Sequence, residues 1–235
     1  MGTQVRLEVP GIGGAGGWLA RPEGVPAGGL VVIQEIFGVN AHMRAVTGGY
    51  ARDGFLALAP ALFDPVQPDA ELDYDEAGFA QGRALAGELG FERAVAIVDA
   101  AAARLRALLA EAAPGREPRV AAVGFCWGGS VAFLANTRLG LPAVSYYGAR
   151  TLPFLSEPLR APMLFHFGAR DQSIPEADVE AHRSAHPGAE LHVYDAGHGF
   201  NRDVDPRHHD AASARLAHGR TLDFLQRAFA PAAGH

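Results

Sequence analysis

The sequence predicts an α/β protein with a mostly parallel central sheet flanked by helices. Three observations predict it. Short apolar runs alternate with longer helical patterns along most of the 235 residues. The apolar runs are unbroken, as expected of strands buried on both faces of a parallel sheet. The helical patterns between them stop at glycine or proline. No internal repeat is visible and no linker splits the chain, so one domain over 1–235 is expected.

Along the chain, Gly/Pro-rich patches at 10–17 and 22–29 read as turns. A first strand is expected at 30–34, in "GLVVIQEI", and a second at 55–59, in "FLALAP". Between them "HMRAVTGGYARDG" (42–54) reads as a helix with a glycine stop. Two helices come next: 74–90, opening with acids and ending in glycine, and the Ala/Leu/Arg-rich 91–113, stopped by Pro114. The remaining strands are expected at 119–124, 143–147, 163–167 and 190–194, and the remaining helices at 128–140, 174–186 and 206–229. The last helix carries Leu216, Leu222, Leu225 and Phe229, an apolar stripe expected to dock on the sheet.

Composition narrows the function. About half the residues are hydrophobic (49%), enough for a substantial core, and the net charge of -6 argues against a nucleic-acid partner. No apolar run reaches the roughly 18 residues needed to span a bilayer, so no membrane partner is expected. The start, "MGTQVRLEVPGIGGAGG", lacks the basic and apolar regions of a signal peptide. One cysteine cannot form an internal disulfide, so a reducing cytoplasm is the expected location. "RHHD" at 207–210 has the residue types of a metal site but no further ligands at suitable spacing. It reads as solvated surface, and no metal is expected.

The one cysteine, Cys126, sits in "GFCWGG" between a strand and a helix. That is the G-x-nucleophile-x-G corner of the α/β hydrolases. Flanking glycines are needed there because a side chain would meet the neighbouring strand or helix. The corner lifts the nucleophile above the sheet edge and aims the next amide, that of Trp127, at a developing oxyanion near the positive end of a helix. A thiol so placed is favoured as thiolate. The plainer alternative is a buried free cysteine.

The residues downstream of Cys126 favour chemistry. In this fold the nucleophile precedes an acid and then a histidine along the chain. Asp171 lies just past the strand at 163–167, in "HFGARDQSIP", where catalytic groups gather in open α/β sheets. Its alternative is a turn or capping aspartate. His198 lies between glycines in "YDAGHGFNR", a setting that core packing explains poorly, and Asp195 competes for the acid role. Cys126, Asp171 and His198 together read as a catalytic triad.

These motifs resemble the dienelactone hydrolase family of α/β hydrolases from about residue 5 to 229. The resemblance rests on "QEIFGVNAHMR" (34–44), "GFCWGGSVAF", "YYG" at 146–148, "GARDQSIP", "AGHGFNR" and "RTLDFL" (220–225). It implies a cysteine-dependent hydrolase of small esters or lactones, of the carboxymethylenebutenolidase type, with no cofactor and acting as a monomer. It also gives Glu35 a part in activating the thiol. A carboxylate ending an apolar strand needs a partner or a function; the alternative for Glu35 is a salt bridge to Arg44.

The implied mechanism starts from a neutral Cys126 thiol turned towards Glu35, which takes its proton when substrate binds. The thiolate swings to His198 and attacks the ester carbonyl. The N–H groups of Trp127 and Ile36 hold the oxyanion, and Asp171 orients the imidazole. Arg202, four residues after His198, matches one of the family's two carboxylate-binding arginines. The other has no arginine at its place; the nearest, Arg83, reads equally as a substrate contact or a solvated helix residue. Tyr146 and Trp127 are candidates for an apolar pocket wall, or for the core. Two other functions stay open: a general carboxylesterase or thioesterase, and a catalytically silent binding module of the same fold.

Overall fold

A computed structural model describes residues 2–230. Eight strands form one sheet: β1 (Gly2–Val9), β2 (Gly13–Ala20), β3 (Gly29–Ile33), β4 (Leu56–Pro60), β5 (Val120–Phe125), β6 (Ala143–Tyr146), β7 (Met163–Gly168) and β8 (Glu190–Tyr194). Their order across the sheet is β1-β2-β4-β3-β5-β6-β7-β8. From β4 to β8 every pair is parallel. β3, β4, β5, β6 and β7 are buried along their whole length, which is why their sequences run apolar without alternation.

The antiparallel end of the sheet departs from expectation. The glycine-rich stretch read as turns at 10–17 is mostly strand: β1 and β2 pair from Gly2↔Ala20 to Val9↔Gly13, and β2 continues antiparallel onto β4. "GGAGGWLA" has low strand propensity on its own. It is held as strand by its pairing with β1 and β4, and a Cβ at Gly17 would come within 3.1 Å of the Ala59 carbonyl. Strand pairing on both sides therefore overrides local preference.

Among the described residues five α-helices cover the sheet: α1 (Ala41–Arg52), α2 (Glu76–Ala112), α3 (Trp127–Leu139), α4 (Glu176–Ala185) and α5 (Ala211–Ala228). α2 joins the two predicted helices through a break at Gly90, which has φ 72° and ψ 164°. It starts at an Asp75 cap, whose carboxylate accepts from the Gly78 amide at 2.7 Å. Of the stripe expected on α5, Leu225 is buried and Leu222 and Phe229 pack against the core, while Leu216 is exposed; Ser213, Ala217, Thr221 and Phe224 complete the buried face. Small residues let this helix come close to the sheet, a choice that hydrophobicity alone does not mark.

The topology fixes where a site can form. After β3 the chain turns to β4 on one side; after α2 it enters β5 on the other. The C-terminal ends of β3 and β5 therefore flank a reversal of strand order, the place where a crevice opens in such sheets. The β3 end carries Glu35 and Ile36, and the β5 end carries Cys126.

Candidate active site

The corner between β5 and α3 is strained at one residue. Cys126 has φ 54° and ψ −121°, a conformation costly for a residue with a side chain and held only by its surroundings. Its amide donates to the Tyr146 carbonyl at 2.9 Å and its carbonyl accepts from Gly129 at 2.9 Å. The glycines are needed for space. A Cβ on Gly124 would stand 1.9 Å from the Gly128 carbonyl oxygen, and one on Gly128 would stand 2.2 Å from that of Gln34.

Cys126, His198 and Asp171 form one hydrogen-bonded line. The Sγ atom lies 3.2 Å from His198 Nε2. His198 Nδ1 donates to Asp171 Oδ2 at 2.7 Å. Asp171 is fixed in turn by the Ser173 amide, which donates to Oδ1 at 2.8 Å. Burial pushes the imidazole pKa down, but the Cys126 charge and the Asp171 hydrogen bond outweigh it and lift it to about 10. Asp195, the competing acid, pairs instead with Arg170 at the surface. Trp127 opens α3, where the first N–H groups have no acceptor within the helix. Ile36 borders the cleft beside Cys126.

Glu35 is placed differently from the resting state that the resemblance implies. Both its oxygens accept from Arg202, from Nε at 3.0 Å and Nη2 at 2.9 Å, and no hydrogen bond joins it to Cys126. Arg44, the other partner considered, binds Glu71. Glu35 and Arg202 are 1% and 5% exposed. Burial pushes the Glu35 carboxyl up, but the Arg202 charge and hydrogen bonds hold it below the usual carboxylate range. Arg202 is itself enclosed. Its third nitrogen donates to Asp205 at 3.4 Å, and its guanidinium lies over the rings of Phe37 and Tyr74. Three of its five N–H donors are engaged in this way, and Arg202 still lines the cleft beside Cys126.

The thiol stands where two lobes of a cleft meet. One, about 530 Å³, holds Arg83, Phe79, Phe91 and Trp127; the other, about 470 Å³, holds Tyr74, Arg202 and Arg207. Arg83 therefore reaches the cleft. Tyr146 does not: it is fully buried, and its hydroxyl pairs with Thr221 at 2.7 Å. The next residue, Tyr147, is the one beside the site, with its ring 5.0 Å from that of His198. In the sequence "YY" gives no sign of which ring turns which way; the positive φ of 41° at Tyr147 decides it. Asp205, Tyr74 and Phe37 also escaped the sequence reading. Only Asp205 left a trace, three residues after Arg202. The "RHHD" histidines bond to Asp205 and to the Phe200 carbonyl, and Asp210 caps α5. Among the described residues there is no group of three or more potential ligands for a metal, and no helix long and apolar enough to cross a membrane.

A parallel sheet with this strand order, a strained corner after β5, and an acid and a histidine in the loops after β7 and β8 define an α/β hydrolase. The model of the dienelactone hydrolase family matches residues 15–229. A carboxymethylenebutenolidase of Pseudomonas putida is 33% identical over 218 residues, 89% of this chain and 90% of the relative. One from Pseudomonas sp. (strain P51) is 35% identical over 210 residues, 84% of each. A crystal structure of a proposed dienelactone hydrolase from Klebsiella pneumoniae subsp. pneumoniae superposes with a TM-score of 0.80 at 29% identity, over 96% of this chain and 99% of that one. The chain belongs to the dienelactone hydrolase family, and with it to the hydrolases acting on ester bonds.

Proposed function

We propose that this protein hydrolyses small esters or lactones through a thioester on Cys126, as a monomer in a reducing cytoplasm and without metal or cofactor. The observation that carries the reading is the line from Sγ through His198 to Asp171. His198 Nε2 takes the thiol proton, and Asp171 stabilises the resulting imidazolium. The thiolate adds to the ester carbonyl, and the oxyanion is met by the N–H groups of Trp127 and Ile36. Collapse expels the alcohol or enol oxygen, which takes the proton from His198. Water, deprotonated by His198, then attacks the thioester; the acid leaves and the thiol regains its proton.

Two substrate readings differ in the role of Arg202. The relatives' name, carboxymethylenebutenolidase, brings a carboxylated lactone to this chain as the first substrate to test. The pairing of Arg202 with Glu35 favours the second reading, an esterase that does not use Arg202 for recognition. Rates on a carboxylated dienelactone and on 4-nitrophenyl acetate, before and after iodoacetamide, separate them: fast lactone turnover supports the first, acetate turnover alone the second. Under either, Cys126→Ala lowers turnover by roughly a thousandfold or more, with Cys126→Ser well below wild type. Near-normal turnover by Cys126→Ala would overturn the nucleophile.

A further inference from the structure

The backbone amide of Ile36 is flanked in the chain by two carbonyls, and each of them is held. Among the described residues no oxygen accepts a hydrogen bond from this amide. Ile36 is a buried residue, yet it borders both lobes of the cleft beside Cys126. Backbone N–H groups in enclosed places rarely go without an acceptor. One that borders a cleft next to a thiol is placed to meet an oxygen of the substrate.

The first carbonyl is that of Glu35, in the same peptide unit as the Ile36 N–H. Gln34 Nε2 donates to it at 3.2 Å. At the other end of the same side-chain amide, Gln34 Oε1 accepts from the Leu62 N–H at 3.0 Å. One partner is an acceptor and the other a donor, so the two together fix which end of the glutamine faces which. Gln34 is fully buried. A peptide unit is planar and trans, so its C=O and N–H point in opposite directions. A hydrogen bond that sets the direction of the Glu35 carbonyl therefore sets the direction of the Ile36 N–H.

The second carbonyl, that of Ile36 itself, faces α2. A Cβ on Gly82 would stand 2.1 Å from its oxygen. Only a glycine hydrogen fits there, so the helix backbone closes directly on this carbonyl. The next carbonyl, that of Phe37, accepts from the Leu72 amide at 3.0 Å. The peptide units around Ile36 are thus fixed by a buried side chain, a helix and a neighbouring loop.

We propose that Gln34 and Gly82 are positioning residues that aim the Ile36 N–H at the carbonyl oxygen of the substrate as Cys126 attacks it. The inference rests on Cys126 being the nucleophile, and it names the residues that hold one arm of the oxyanion site. The role at position 34 needs a donor and an acceptor on one side chain, which glutamine has and methionine of similar length lacks.

The test compares two reactions of the same thiol. Hydrolysis of 4-nitrophenyl butyrate passes through an oxyanion; alkylation by iodoacetamide displaces iodide from a saturated carbon and forms none. Gln34→Met should lower kcat for the ester by roughly tenfold or more, with KM and the alkylation rate of Cys126 within about twofold of wild type. Gly82→Ala, which presses on the other carbonyl, should give the same split, and it decides the outcome if Gln34→Met does not fold. Gly78→Ala is the control. Its Cβ would stand equally close, 2.1 Å, to the Asp73 carbonyl one turn earlier on α2. It should lower the denaturation midpoint and leave kcat within about twofold of wild type. Unchanged kcat in the folded variants at 34 and 82 overturns the proposal. Equal losses in hydrolysis and alkylation also overturn it, because they would show a disturbed thiol. Wild-type turnover that survives full alkylation of Cys126 would instead fail the nucleophile reading, and the proposal with it.

Discussion

At the scale of residues, the chemistry depends on how charge is shared between Cys126 and His198. The imidazole is partly buried, which alone would disfavour its charged form. Its pKa stands at about 10 because the Cys126 charge and Asp171 favour the protonated ring. Removing the anion removes the leading cause that raises it. In Cys126→Ala the His198 pKa should therefore fall, and an NMR titration of the ring would show it. A ring that titrates at the same pH in both proteins would mean that Asp171 alone sustains the shift. The sequence showed these three residues because each lies at the end of an apolar strand, beside glycines or polar turn residues. It could not show Tyr147, since two adjacent tyrosines leaving one strand look equivalent until the backbone turns.

At the scale of elements, the corner is specified by contacts rather than by propensity. A Cβ on Gly128 would stand 2.2 Å and 2.7 Å from two carbonyl oxygens of the β3 segment. These are backbone atoms and have little room to retreat. Gly128→Ala should cost about 1–3 kcal/mol of stability or more, as overpacking does. Gly219 on α5 is the contrast: it is exposed, and a Cβ there would meet nothing within 4 Å. Gly219→Ala should stabilise by about 0.4–1 kcal/mol through the unfolded chain. Denaturant melts of both variants check the pair; equal shifts would contradict the packing account. The same contrast explains two departures from the sequence reading. The β2 glycines become strand because β1 and β4 hold them. The buried face of α5 runs through Ser213, Ala217 and Thr221, while Leu216 faces solvent.

At the scale of the whole molecule, the Glu35–Arg202 pair joins the loop after β3 to the loop after β8, 167 residues apart. Truncating either partner leaves the other charge buried. Glu35→Ala or Arg202→Met should each cost roughly 3–5 kcal/mol, and a double apolar variant should cost much less than their sum. Chemical denaturation of the four proteins checks this, and additive losses would show that the two groups do not depend on one another. Turnover by the double variant then separates two proton acceptors. Persistence through His198, the outcome expected from its contact with the thiol, leaves Glu35 as a positioning residue. Loss of turnover from a folded protein would give Glu35 the thiol proton, as the family resemblance implies.

The sequence by itself determined the parallel sheet and its helices, because unbroken apolar runs and glycine stops are local signals that burial on both faces requires. It also determined the corner at Cys126 and the order of Asp171 and His198, because strand ends and turn residues mark where such groups must sit. Only the tertiary structure decided the antiparallel hairpin, the partner of Glu35, the burial of Tyr146 and the place of Arg83 in the cleft. Each of those depends on which distant segments meet. An arginine written in the sequence carries the same charge whether a carboxylate 167 residues away pairs with it or solvent surrounds it.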